Sequence, residues 1–165
     1  MRFTDGPRMD KDVYIGASPE TVWAICTDLP RFGEWSPENR GGEWTDGATG
    51  PALGARFLGR QEHPGRGEWE TTCTVSTFVP QQELAWALGE LDDPGAVWGF
   101  SLTPEGDGTR LRQHVQMGPG PSGITEVIKA LPDKEERIIE RRLREYEAGL
   151  SAVLAGIKAT AEAEA

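Results

Sequence analysis

The sequence has no apolar run that approaches the roughly 18 residues a membrane span needs. Its first residues, MRFTDGPRMDKD, lack the apolar stretch of a signal peptide. A soluble, cytoplasmic protein is the expectation. Basic residues are in deficit, since 17 Lys and Arg face 27 Asp and Glu, for a formal net charge of −10. A phosphate-backbone partner would call for a basic stripe, so nucleic acid is not an expected partner. Cysteine is scarce as well. Cys26 and Cys73 are the only two, neither sits in a CxxC pair, and they do not make a disulfide framework of the secreted kind. They read as buried thiols. The two histidines, His63 in the turn-like EHPGRG and His114 on an outward strand position beside Arg112 and Gln116, form no HxxxH or HExxH pattern. Metal ligands are nowhere grouped in sufficient number, so neither a metal nor another cofactor is expected.

What is present suits one domain. At 165 residues the chain can bury about two-thirds of its extended surface without disulfides or metal. KDVYIGA alternates as a short strand. SPETVWAICTDL follows as a helix, with Ser18 as N-cap and Pro19 at the first helical position, where its missing N–H is not needed. A full capping box would require Glu or Gln where Thr21 stands. PRFGEWSPEN, between Pro30 and Pro37, has room for a short helical turn before Gly41 and Gly42 release the chain into extended structure.

Strands are predicted over 42–45, 55–62, 67–79, 83–89, 95–103 and 108–117. Within GEWETTCTV, Trp69, Thr71, Cys73 and Val75 alternate with Glu68, Glu70, Thr72 and Thr74, the pattern of a strand with one covered face. Leu84, Trp86 and Leu88 share one side, as do Ala96, Trp98, Phe100 and Leu102, then Leu111, Gln113, Val115 and Met117. PGRG and EGDG supply hairpin turns. Phe78 is out of phase with Val75, which predicts a bulge or a strand end near Pro80.

The last third changes period from two to 3.6. Ile139, Leu143, Tyr146, Leu150, Val153 and Ile157 fall within about an 80° sector of one helical wheel. Pro132 separates a short helix over 123–131 from a long one running from Asp133 to about Ala159, with a fraying end. Asp133 with Arg137 and Glu140 with Arg144 have the spacing of i,i+4 ion pairs.

Four stretches, SPETVWAICTDLPRFGEWSPE, GPALGARFLGR, EWETTCTVSTFVPQQELAW and GTRLRQHVQM, resemble the START-like superfamily over about residues 10 to 160. This superfamily is also called SRPBCC or birch-pollen-allergen-like, and the resemblance is to its bacterial polyketide cyclase/dehydrase group. It implies an α+β helix-grip fold, in which a curved antiparallel sheet of about seven strands wraps a long C-terminal helix, with two short helices after the first strand. It also implies a single domain over residues 9–161, a frayed tail at 162–165, and an apolar cavity between sheet and helix.

Strand parity agrees with a cavity. Trp69, Thr71, Cys73, Trp86, Trp98, Phe100 and Gln113 would face the helix, with Phe57 and Gln61 on the same side. Gln61 stands where family members often carry Asn, and its longer amide would reshape one end. Six tryptophans in 165 residues are a heavy aromatic load, fit for a flat apolar guest. Trp35 could gate the mouth or plug one end, whereas Trp23 reads as core. Tyr146 is the best polar contact from the helix. Glu135 and Arg142, at the edge of the apolar stripe, read as a solvated rim.

Catalytic candidates are few. Cys73 lacks a base to hold its thiolate, and Glu68 and Glu70 fall on the wet face by parity. GGEWTDGATGPALG lacks the Lys-Ser/Thr ending of a phosphate loop. The leading expectation is a protein that binds a small hydrophobic or aromatic molecule, as monomer or homodimer. The alternatives are a polyketide cyclase, aromatase or dehydratase acting on a poly-β-ketone in the same cavity, and an adaptor that docks proteins on its outer surface.

Overall fold

The computed structural model describes residues 1–165. Period-two patterning becomes seven strands: β1 (Arg8–Ile15), β2 (Asn39–Thr45), β3 (Arg56–His63), β4 (Gly67–Val79), β5 (Glu83–Gly89), β6 (Pro94–Glu105) and β7 (Gly108–Met117). They form one antiparallel sheet in the order β1-β7-β6-β5-β4-β3-β2. From β2 to β7 the chain meanders between neighbours, while β1 joins β7 at the far edge. The two ends of the sheet are therefore bridged by the segment between β1 and β2, which holds α1 (Pro19–Cys26) and a 3-10 turn over Leu29–Glu34. α2 (Gly123–Ala130) and α3 (Glu135–Glu164) complete the fold, which is the α+β helix-grip arrangement that the sequence implied.

Local chemistry accounts for the joints. The Thr21 backbone N–H donates to Ser18 Oγ at 3.2 Å, and Pro19 opens α1. At Gly41, where φ is +83°, an added Cβ would lie 2.5 Å from the Pro30 carbonyl oxygen, so only glycine lets β2 run against the 3-10 turn. The pairing of β4 with β5 shifts register between Val75 and Thr77, which is the bulge that puts Phe78 out of phase.

α3 begins at Glu135, after a 3-10 turn over Pro132–Lys134, and continues to Glu164. The expected fraying beyond Ala159 is not found. Ala161 is fully buried, and Lys158 Nζ both donates to the Tyr14 carbonyl at 2.8 Å and pairs with Glu162. Asp133–Arg137 and Glu140–Arg144 do not pair, and the i,i+4 contacts of the helix are Arg141–Glu145 and Lys158–Glu162. No helix is long and apolar enough to cross a membrane.

The two halves of α3 meet different surroundings. Val153, Leu154, Ile157 and Ala161 join Val22, Ile25, Cys26, Leu29 and Phe32 of the bridging segment in the main core, together with Ile15, Leu84, Leu102 and Leu111 of the sheet. Tyr146 and Leu150 belong to a smaller cluster with Ala96, Val115 and Met117. Two glycines show the contrast. A Cβ on Gly156 would stand 2.2 Å from Trp35 Cδ1, whereas a Cβ on Gly149 would meet nothing within 4 Å. One end of the helix is packed solid and the other faces a gap. Gly156→Ala is therefore expected to lower stability by about 1–3 kcal/mol through overpacking. Gly149→Ala should raise it by about 0.5–1 kcal/mol through helix propensity. Urea unfolding followed by circular dichroism measures both, and shifts of the same sign would contradict this division.

Candidate functional site

The gap over the N-terminal half of α3 is a cavity of about 350 Å³, within the range of small-molecule sites. Antiparallel register builds its sheet wall from side chains that stand opposite one another. Phe57 on β3 faces Cys73 on β4, Gly59 faces Thr71, and Gln61 faces Trp69. Trp86 on β5 faces Trp98 on β6, and Leu88 faces Ala96. Gln113 and Met117 of β7 and Arg142, Glu145, Tyr146, Gly149 and Leu150 of α3 complete the lining, with Phe32 and Glu38 from the bridging segment. The exposed members, Pro37, Arg66, Gly89, Pro121 and Gly123, mark the mouth.

Polar groups sit at particular places on this wall. Thr71 Oγ1 donates to Gln61 Oε1 at 3.0 Å. Gln61 fits because Gly59 has no side chain, since a Cβ there would be 2.9 Å from Gln61 Nε2. Gln113 is 1% exposed, yet its Oε1 has no hydrogen-bond partner. Leaving such an atom unmatched costs about 1–3 kcal/mol, a penalty that a hydrogen bond from a guest or a water would relieve.

Where α3 approaches the loop before β2, Arg142 Nη1 donates to both oxygens of Glu38 at 3.0 Å and to Glu145 Oε2 at 2.6 Å. His63 Nε2 lies 2.9 Å from that same Glu145 oxygen. Burial alone would raise the Glu145 carboxyl, but Arg142 and then His63 more than offset it and hold it below its ordinary value of 4.5. Desolvation opposes the charge on Arg142, while Tyr146, Glu38 and Glu145 favour it, so the guanidinium is a permanent cation. It lies 4.7 Å from the centre of the Tyr146 ring. Burial pushes the Tyr146 phenol up, only partly countered by Arg142, which keeps it a proton donor at neutral pH. Tyr146 also meets Trp98 edge-to-face at 5.1 Å, tying helix to sheet.

The model of the family described as polyketide cyclase / dehydrase and lipid transport matches residues 7–160. The chain belongs to this family. Among solved structures, a Polyketide_cyc-like protein from Corynebacterium glutamicum is similar at 29% identity with a TM-score of 0.68, over 95% of this chain and 92% of that one. The di-domain ARO/CYC protein StfQ of the steffimycin biosynthetic pathway shares the fold at 14% identity and a TM-score of 0.70, over 95% of this chain and 51% of that one. A protein from Mesorhizobium loti does so at 21% identity and a TM-score of 0.60, over 92% and 94%. No curated protein sequence matches the chain.

Within this family member, the expected site residues Phe57, Gln61, Trp69, Thr71, Cys73, Trp86, Trp98, Gln113 and Tyr146 all line the cavity. Trp35 and Phe100 do not. Trp35 lies against Gly156 at the solid end, and Phe100 is fully buried behind Phe32 and Trp86, with ring centres 5.8 and 5.9 Å away. Burial pushes the Cys73 thiol up to about 12, which leaves it no use as a nucleophile near neutrality.

The sequence reading missed the cluster around Arg142, which is not a solvated rim. Glu38 is 104 residues away, so only the Arg142–Glu145 and Arg142–Tyr146 helical spacings hinted at it. Glu135 has a separate task and accepts from the Phe3 backbone N–H at 2.9 Å. Glu38, His63 and Glu145 each bring one donor atom to within 4.8 Å of the others, a spacing that a small cation could span. Arg142 already bonds both carboxylates, so a dication would have to displace a largely buried guanidinium.

Removing that guanidinium strands two carboxylates. Arg142→Met should lower stability by about 1–3 kcal/mol at neutral pH. Because the folded-state value of Glu145 is depressed, its contribution is present above the unfolded value of 4.5 and is lost as pH falls through the folded one. The gap between wild type and variant, measured by urea unfolding, should therefore narrow below that pH. A gap that stays constant or widens there would argue against the pairing.

Proposed function

We propose that the protein binds a small, flat hydrophobic or aromatic molecule between the sheet and α3. The observation that carries this reading is the stand-off at Gly149, where a buried-facing helix position opens on empty space walled by Trp69, Trp86 and Trp98. Family membership supports it, since the family description includes lipid transport. A cavity lined by large apolar rings with a few amides and hydroxyls has the make-up of a small-molecule pocket.

A second reading, a cyclase, aromatase or dehydratase of poly-β-ketones, is favoured by the Arg142 cluster. Aldol closure requires a proton taken from carbon, a donor to the attacked carbonyl, and loss of water. Tyr146 could donate, and holding one folded conformer alone could supply about 7–11 kcal/mol in good cases. The base is the weak point of this chemistry. Against burial, the pairing with Arg142 holds Glu145 below its ordinary value, so it takes up protons poorly, and Glu38 is engaged by the same guanidinium. Binding without turnover therefore fits the site better. The di-domain ARO/CYC neighbour shares the fold, and a fold alone does not transfer a reaction.

Two measurements test the choice. Tryptophan fluorescence should be quenched by the neutral probe N-phenyl-1-naphthylamine, with much of the quenching lost in Trp98→Phe and binding weakened at least about tenfold by Gly149→Leu, which places a side chain in the gap. Undiminished binding to Gly149→Leu would show the pocket to be elsewhere. Incubation with a synthetic triketide thioester should return it unchanged by mass spectrometry, whereas a cyclised product reduced in Tyr146→Phe would move the assignment to the enzyme.

A further inference from the structure

We infer that the guest is a planar aromatic acid, with a carboxylate held by Arg66 at the mouth and a second hydrogen-bonding group held by the buried Gln113. This rests on the cavity-binding reading above and specifies the chemical class that would fill it.

The first observation concerns charge. Most Lys and Arg side chains pair with a carboxylate; Arg8, Arg66, Lys134, Arg137 and Arg144 do not. Of these five, only Arg66 lines the cavity. Its guanidinium is not a loose surface group. It lies 4.4 Å from the centre of the Trp69 ring, and a Cβ on Gly123 would be 2.0 Å from its Nη2, so it is held between the cavity wall and the start of α2. Contact with an aromatic ring spares the N–H edge of a guanidinium, which matches a carboxylate with two parallel hydrogen bonds. In a protein of net charge −10, this is a positioned cation with no acidic partner at the opening of an apolar hole, open to an anionic group on a guest.

Arg142 does not compete for this role, because its charge is already matched by Glu38 and Glu145. The local charges also balance, with Glu38 and Glu145 against Arg142 and Arg141, so the cluster sets up no net repulsion at contact range. The overall negative charge does repel an anion at a distance, but salt screens such forces beyond about 8 Å at physiological ionic strength. Recognition therefore depends on contact at Arg66 and not on steering.

The second observation is independent of the first. Gln113 is almost wholly buried and lines the cavity, and its amide oxygen lacks a partner. As oxygen and nitrogen of an amide can exchange places, it can match either a donor or an acceptor on the guest. The same cavity is walled by Trp69, Trp86 and Trp98, which demand an apolar ring body. A purely hydrocarbon guest would leave Gln113 unmatched, and a neutral one would leave Arg66 unmatched.

The test uses the full chain and three probes: 6-hydroxy-2-naphthoate, its methyl ester, and the naphthoate without the hydroxyl, titrated calorimetrically. The acid should bind about tenfold more tightly than the ester, and that preference should shrink with added salt. Arg66→Gln should reduce it to within about twofold, with most of the loss on the acid. Loss of the hydroxyl should cost the wild type about fivefold and cost Gln113→Leu nothing. An ester that binds the wild type as well as the acid does, a preference that survives Arg66→Gln, or indifference of the wild type to the hydroxyl would each overturn the inference. The wild-type comparisons stand even if Gln113→Leu fails to fold. Binding of the neutral ester and of N-phenyl-1-naphthylamine without any gain for the acid would sink this inference alone; failure of every probe to bind would sink the cavity reading with it.

Discussion

The molecule depends on keeping one half of α3 away from the sheet while the other half is packed against it. The hydrophobic effect acts to close such a gap, and a dry hole of this size would cost several kcal/mol. What resists closure is rigid aromatic and ionic bracing. Trp98 meets Tyr146 edge-to-face from the sheet, Phe32 wedges against Trp86 and Phe100, and Arg142 ties the helix to Glu38 across 104 residues of chain. At the other end Trp35 against Gly156 and the buried Ile157 and Ala161 fix the helix axis. Stability comes from the solid end, and the space for a guest is held open at the braced one.

The same bracing shapes the chemistry. Against burial, the Arg142 cation lowers the proton affinity of Glu145, and a carboxylate so stabilised is a weak base toward a proton on carbon. Tyr146, kept protonated by burial, can orient a carbonyl or hydroxyl. The site is therefore rich in groups that position and poor in groups that react. That agrees with a fold that serves carriers and cyclases alike, with the difference residing in a few side chains.

Much of the architecture was legible in the sequence because both periodicities are strong. Alternation in β4 to β7 and the apolar stripe from Ile139 to Ile157 assign faces directly, and those faces place Trp69, Thr71, Cys73, Trp86, Trp98 and Gln113 on the cavity wall. Parity says which side a residue takes but not how far along the groove it lies, and so Phe100 was read as wall when it is core. Trp35 sits on an irregular segment with no period to guide it. Arg142 was hidden for a different reason. Its partner Glu38 comes from the distant loop before β2, and His63, which shares Glu145 with it, from the end of β3; only the folded sheet brings them to the helix, and an arginine beside an apolar stripe reads as solvent-facing until they are in place.

Gly149 has an evolutionary corollary. The residue at which the helix turns bare backbone to the hollow is a single codon, remote from the packed end on which folding relies. Descendants could resize the chamber by mutation there and leave the scaffold intact, so selectivity and foldability are free to drift apart within one lineage.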